Sequence, residues 1–132
     1  MSLDQCIVEI KSQLIASPAI VKIEIVETYT LPDRGYFRAR LTLVNHDFLE
    51  TAEYFIYQAG RCVPLRYRYQ WMDETRIILR KRWDNVEHFP GLLNFPYHVH
   101  VGSDEHVEPG QSLSTLDLIA VIEQELTRRR KS

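Results

Sequence analysis

The sequence predicts an α+β domain: an antiparallel β-sheet of about five or six strands in a meander, with N- and C-terminal helices packed on one face. Three observations predict it. Apolar residues recur at helical spacing only near the two ends of the chain. Between them, runs of alternating apolar and polar residues are separated by short turn signals. At 132 residues, with 45% apolar and 26% charged content, the chain is one domain, 1–132, able to bury a core without staples.

The elements follow in order. Leu3 to Ser17 carries Ile7, Ile10 and Leu14, with Val8 and Ile15 beside them, at helical spacing, and Ser17-Pro18 should end that helix. Val21, Ile23 and Ile25 alternate with Lys22 and Glu24 in a half-buried strand reaching about Leu31. Pro32-Asp-Arg-Gly35 is a turn. The next strand sets Phe37, Ala39, Leu41 and Leu43 on one face and Arg38, Arg40 and Thr42 on the other. A third strand spans roughly Leu49 to Tyr57, and Gln58-Ala-Gly-Arg61 turns the chain again.

A hairpin follows, from Arg66 to Trp83, turning at Met72–Glu74. An odd loop puts Tyr67, Tyr69 and Trp71 on one face with Ile77, Leu79 and Trp83, and Arg66, Arg68 and Gln70 on the other with Arg76, Arg80 and Arg82. An even loop mixes the two sets, so burial of the aromatics selects the first register. Adding Arg38 and Arg40 gives one sheet face with seven arginines. Beyond Trp83 come an irregular segment with Pro90, Gly91 and Pro96 and a short strand at Tyr97–Val101. Ser114-Thr-Leu-Asp117 has the form of a capping box opening a helix, with Leu116, Ile119, Ile122 and Leu126 as its buried stripe. Arg128–Lys131 suits that helix's C-terminal end.

The net charge of −2 means that any affinity for nucleic acid comes from a local patch. Cys6 and Cys62 make no disulfide framework, and the expectation is two buried thiols in a reducing cytoplasm. No signal peptide is evident and no apolar run is long enough to cross a bilayer. Glycine-rich phosphate loops, nucleophile elbows, Cys-x-x-Cys and His-Glu-x-x-His are absent.

What remains is an unusual distribution of charge. Between Arg61 and Arg82 there are seven Lys/Arg and two acids; from Trp83 to Thr127 there is no Lys or Arg, but four of the five histidines and eight acids. Arginines interleaved with Tyr and Trp suit a phosphate backbone with bases stacked beside it, because the guanidinium fork matches phosphate oxygens. The plainer reading is a solvated outer face paired to Glu24, Glu50 or Glu53. His98-Val-His100 puts two imidazoles on one side of a strand. They could serve as acid and base on one phosphodiester, or as a metal pair with His88, Asp84 or His106 as third ligand, or as ordinary strand residues. Asp84 could orient an imidazole, hold Arg80 or Arg82, or close an Asx-type turn.

Tyr67-Arg-Tyr-Gln-Trp71, Arg82-Trp-Asp-Asn85, His88 and Phe95-Pro-Tyr-His98-Val-His100 together resemble the TumE family. Its members carry Tyr-x-Tyr-x-Trp, Arg-Trp-Asp-Asn-x-x-His and Phe-Pro-His-His-x-His in this order. The likeness covers about Tyr67 to Pro109, and Tyr97 stands where the family has a histidine. The resemblance implies the toxin half of a bacterial toxin–antitoxin pair, with a helix-turn-helix protein as antitoxin. It brings no catalytic residues with it.

The leading expectation is therefore a cytoplasmic, toxin-like protein that binds RNA through Arg66, Arg68, Arg76, Arg80, Arg82, Arg38 and Arg40. Cleavage without metal or other cofactor would use His88, His98 and His100 as acid and base, Asp84 to orient them, and arginines to hold the phosphate. Two alternatives stand beside it: a non-catalytic interaction protein docking an acidic partner or nucleic-acid machinery, and a small metal-binding enzyme using His98 and His100. Oligomerisation is open in all three.

Overall fold

The computed structural model describes residues 2–131, with the side chains of Arg130 and Lys131 outside the description, so that half of the Arg128–Lys131 expectation lies beyond it. Helix α1 (Leu3–Ala16) and helix α2 (Thr115–Lys131) bracket seven strands: β1 (Ile20–Thr30), β2 (Gly35–Leu43), β3 (Phe48–Gln58), β4 (Arg61–Met72), β5 (Leu79–Asp84), β6 (His98–Val101) and β7 (Val107–Pro109). All are antiparallel neighbours in sequence order, so the sheet is a pure meander. The strand number exceeds the expected five or six by β7, whose three residues are too short for any periodicity. No helix among the described residues is long and apolar enough to cross a membrane.

Both helices lie on one face. From α1 the core takes Cys6, Ile7, Ile10 and Leu14, and from α2 Leu118, Ile119, Ile122 and Leu126. The sheet supplies Phe37, Ala39, Leu41, Leu43, Leu49, Phe55, Tyr67, Tyr69, Trp71 and Trp83. Strand β2 shows strict alternation, as its sequence requires. Val8 and Ile15 do not join the core: they stay 61% and 75% exposed, because α1 touches the sheet along a single stripe. Val21 is also exposed, since bulges at Ile20/Lys22 and Ile25/Glu27 break the alternation of the edge strand β1. Helix α2 opens with the expected reciprocal cap, Ser114 N–H donating to Asp117 and Asp117 N–H donating to Ser114 Oγ.

Two bulges decide which residues meet. The β4–β5 loop has six residues, an even number that would have mixed arginines with aromatics. The shift between Met72↔Leu79 and Trp71↔Lys81 restores the register, so that Tyr69 pairs with Trp83 and Gln70 with Arg82. Ile77 sits in that loop, 80% exposed, and not in the core as expected. The second bulge, at Leu65, pairs Tyr54 with Arg66 but Phe55 with Pro64. It turns Cys62 to the helix side beside Tyr57, within reach of α1. Cys6 and Cys62 accordingly form a disulfide, with Cα atoms 6.0 Å apart. The expectation of two free thiols is corrected by this one-residue slip, which alternation alone does not reveal.

Glu53 clamps α2 to the sheet. Its buried carboxylate accepts from Thr115 N–H and Thr115 Oγ1, both at 2.7 Å, and from the Tyr69 hydroxyl at 3.2 Å. It is thus a core acid, not the arginine partner considered above. Burial holds its carboxyl above the usual range, opposed by those hydrogen bonds. The folded state therefore keeps a proton on Glu53 at pH values where the unfolded chain has lost it. That contribution to stability falls as pH rises above the ordinary carboxylate range and levels off once both states are ionised. Glu53→Ala should cost about 3 kcal/mol by orphaning buried donors. Glu53→Gln should keep most of the stability and flatten this part of the pH dependence, as urea unfolding at a series of pH values would show.

Candidate functional site

The sheet register assembles the site. On the face away from the helices, one row of cross-strand partners runs Arg38, Ala52, Arg68, Asp84, His98; the next runs Arg40, Glu50, Gln70, Arg82, His100. The arginines of the hairpin and the histidines of β6 thus share one surface, with Asp84 and Arg82 between them.

Asp84, His98 and His100 form its most buried part, 5%, 2% and 5% exposed. His98 Nδ1 lies 2.8 Å from the Pro96 carbonyl and His100 Nδ1 2.9 Å from the Asp104 carbonyl. A carbonyl only accepts, so each Nδ1 carries the proton and donates it, and each ring turns Nε2 toward Asp84. The separations are 2.9 Å from His98 Nε2 to Oδ1 and 3.7 Å from His100 Nε2 to Oδ2. Burial pushes the His100 imidazole below its ordinary pKa, with the neighbouring Arg82 acting the same way and the Asp104 carbonyl opposing them. Phe89 covers the pair, its ring 5.2 Å from His98 and 6.1 Å from His100. Asp84 also accepts from Val86 N–H, so the Asx-type turn and the approach to the two imidazoles coexist on one side chain. Asn85 braces the bulge across the strands, accepting from Tyr67 N–H and donating to the Leu65 carbonyl.

The arginines divide. Arg38 and Arg40 both pair with Glu50, at 3.3 and 3.1 Å, which leaves this trio a net charge of one. Arg80 is drawn off by the buried Asp47, which it meets at 2.6 Å and which also accepts from Trp71 Nε1 at 2.9 Å. Asp47 was not foreseen, because nothing local in the sequence marks an acid in a turn as the partner of a distant strand. Arg82 reaches Asp104 and lies 3.7 Å from Asp84. Arg76 stacks on Phe48, 4.1 Å from the ring centre. Arg66 and Arg68 are exposed and form no ion pair among the described residues. Arg66 opens onto a groove of about 780 Å³ that Arg34, Tyr54, Asn85, His88 and Tyr97 also line. His88 therefore stands at the groove and not in the buried cluster, and His106 is exposed with Glu108 as its partner. Tyr54 of the groove packs with Tyr36 and Tyr29, the Tyr36 and Tyr54 ring centres lying 4.6 Å apart.

A family model described as toxin TumE matches residues 10–130, nearly the whole chain and far more than the segment that carries the resemblance. The chain belongs to the TumE toxin family. Membership makes it a toxin of the toxin–antitoxin kind and implies an antitoxin partner. No curated protein and no solved structure matches it. In TumE terms, the three motif segments fall on three adjacent strands of this face: Tyr67–Trp71 in β4, Arg82–Asp84 at the end of β5 with Asn85 just beyond it, and His98–His100 in β6.

Proposed function

We propose that this TumE-family toxin binds single-stranded RNA across the open sheet face and cuts it at the Asp84–His98–His100 centre. The observation that carries the reading is the register that sets Arg68, Arg82, Asp84, His98 and His100 on one surface. Arg66 and Arg68 supply cations not already neutralised, and Arg82 stands beside the centre. Tyr54, on the groove wall with Tyr36 packed against it, is the aromatic surface beside which a base would stack. His88, on the groove wall, is placed to exchange protons with a bound strand. The target places the protein's action in the cytoplasm, where a helix-turn-helix antitoxin would oppose it.

One observation favours a non-catalytic, interaction-only toxin: with Phe89 in place, both imidazoles are covered. RNA would reach them only after the 85–97 segment shifts.

The test is binding of a labelled single-stranded RNA at several salt concentrations. Arg66→Glu plus Arg68→Glu should weaken binding by about 10- to 100-fold at low salt and reduce the salt slope. Arg61→Glu plus Arg128→Glu, the same charge change at other exposed sites, should have little effect. Equal losses from both pairs would mean that the open face is not the binding surface.

A further inference from the structure

We infer that Asp84, His98 and His100 are the ligands of one divalent transition-metal ion of the zinc or manganese class. The inference deepens the cleavage reading, but the metal site itself does not depend on RNA.

The donor set comes first. Two imidazoles and a carboxylate suit borderline divalent ions, and all three ligand atoms lie within 4.8 Å of one another. An ion ~2.1 Å from each ligand spaces them ~3.0–3.4 Å apart. Asp84 Oδ1 is 2.9 Å from His98 Nε2 and Asp84 Oδ2 is 3.7 Å from His100 Nε2, on either side of that range.

The second observation is independent of composition. His98 Nε2 is buried, aimed into the cluster, and makes no hydrogen bond. It lies 2.9 Å from Asp84 Oδ1, close enough for a hydrogen bond, yet the two do not form one. A structural imidazolium–carboxylate pair would make that bond, since its strength comes from a directed N–H. With Nδ1 carrying the proton, Nε2 instead presents a lone pair, which is what a metal ion takes.

The surroundings fit the same purpose. Each Nδ1–H is held by a main-chain carbonyl, of Pro96 and of Asp104, which fixes the tautomer that leaves Nε2 free to ligate. Arg82, 3.7 Å from Asp84 Oδ2, steadies the carboxylate from outside the cluster. Phe89 limits water above it. With only three protein ligands, such an ion keeps positions for water or a phosphate oxygen. A phosphate oxygen would take such a position once the 85–97 segment has shifted.

The experiment uses tag-free, metal-stripped full-length protein titrated with Zn²⁺ by calorimetry, and with Co²⁺ by absorption. One ion per chain is expected. Asp84→Asn and His98→Gln, near in size to the native residues, should each weaken binding by about 100-fold or more. His88→Ala and His106→Ala should leave it unchanged. Should a ligand variant fail to fold by circular dichroism, imidazole nitrogen shifts of the wild type decide. Zn²⁺ should then move Nε2 of His98 and His100, and movement confined to His46, His88 or His106 overturns the proposal. No Zn²⁺ binding by the folded wild type, or binding indifferent to Asp84→Asn and His98→Gln, overturns it too. Metal binding without RNA binding would sink the RNA reading alone.

Discussion

Expressed in a bacterium without an antitoxin, the wild-type chain is expected to arrest growth, and the variant with His98→Gln and His100→Gln is expected to let cells grow. The effect should be large. Removing groups that transfer protons or hold the reacting centre costs about 10²–10⁴ in rate. Glutamine is the better probe than alanine here. Both imidazoles are almost fully buried and donate to the Pro96 and Asp104 carbonyls, so an alanine pair would orphan two acceptors and open a cavity. Expression and thermal unfolding should be followed alongside growth. A folded double variant that still arrests growth would move the toxic function to the interaction surface and away from this centre.

The second large effect concerns the covalent link between α1 and β4. The cysteines are 56 residues apart in sequence, so the bridge closes a long loop. Loop-closure entropy of that length corresponds to about 4 kcal/mol. Cys6→Ser with Cys62→Ser, or reduction of the wild type, should therefore lower the unfolding free energy by about this amount in urea. Both routes should give the same loss, and adding reductant to the double variant should change nothing further. The test also bears on where the protein works. A toxin acting in a reducing cytoplasm would hold this bridge against the thiol pool or act in the reduced form, and comparing growth arrest by the double variant with the wild type separates the two.

How much of this could be seen beforehand follows from what side-chain alternation encodes. Phe37, Ala39, Leu41 and Leu43 go in while Arg38 and Arg40 go out, because burial leaves an undisrupted strand one register. The same argument placed Tyr67, Tyr69 and Trp71 correctly. It failed wherever a residue is inserted. The bulge at Leu65 turned Cys62 inward, and the shift beside Arg80 allowed a loop of the wrong parity, with Ile77 exposed at its tip. Patterning is equally silent about partners distant in sequence. Asp47 taking Arg80 and Glu53 capping α2 are tertiary contacts, and Asp47 together with Glu50 thins a seven-arginine face to a smaller set of uncommitted cations. The convergence of Asp84, His98 and His100 depended on both β5–β6 pairing and the carbonyls that orient the rings. Only the first of these was open to sequence reasoning.

The central claim is that one sheet face both holds RNA and contains the centre that cuts it. The most direct measurement incubates purified protein with an end-labelled single-stranded RNA and reads complex and cleavage products from the same samples. The account predicts that wild type binds and cuts, that His98→Gln with His100→Gln binds within about threefold but leaves the RNA whole, and that Arg66→Glu with Arg68→Glu does neither at moderate salt. Cleavage undiminished in the histidine variant, or a folded wild type that neither binds nor cuts, would contradict it.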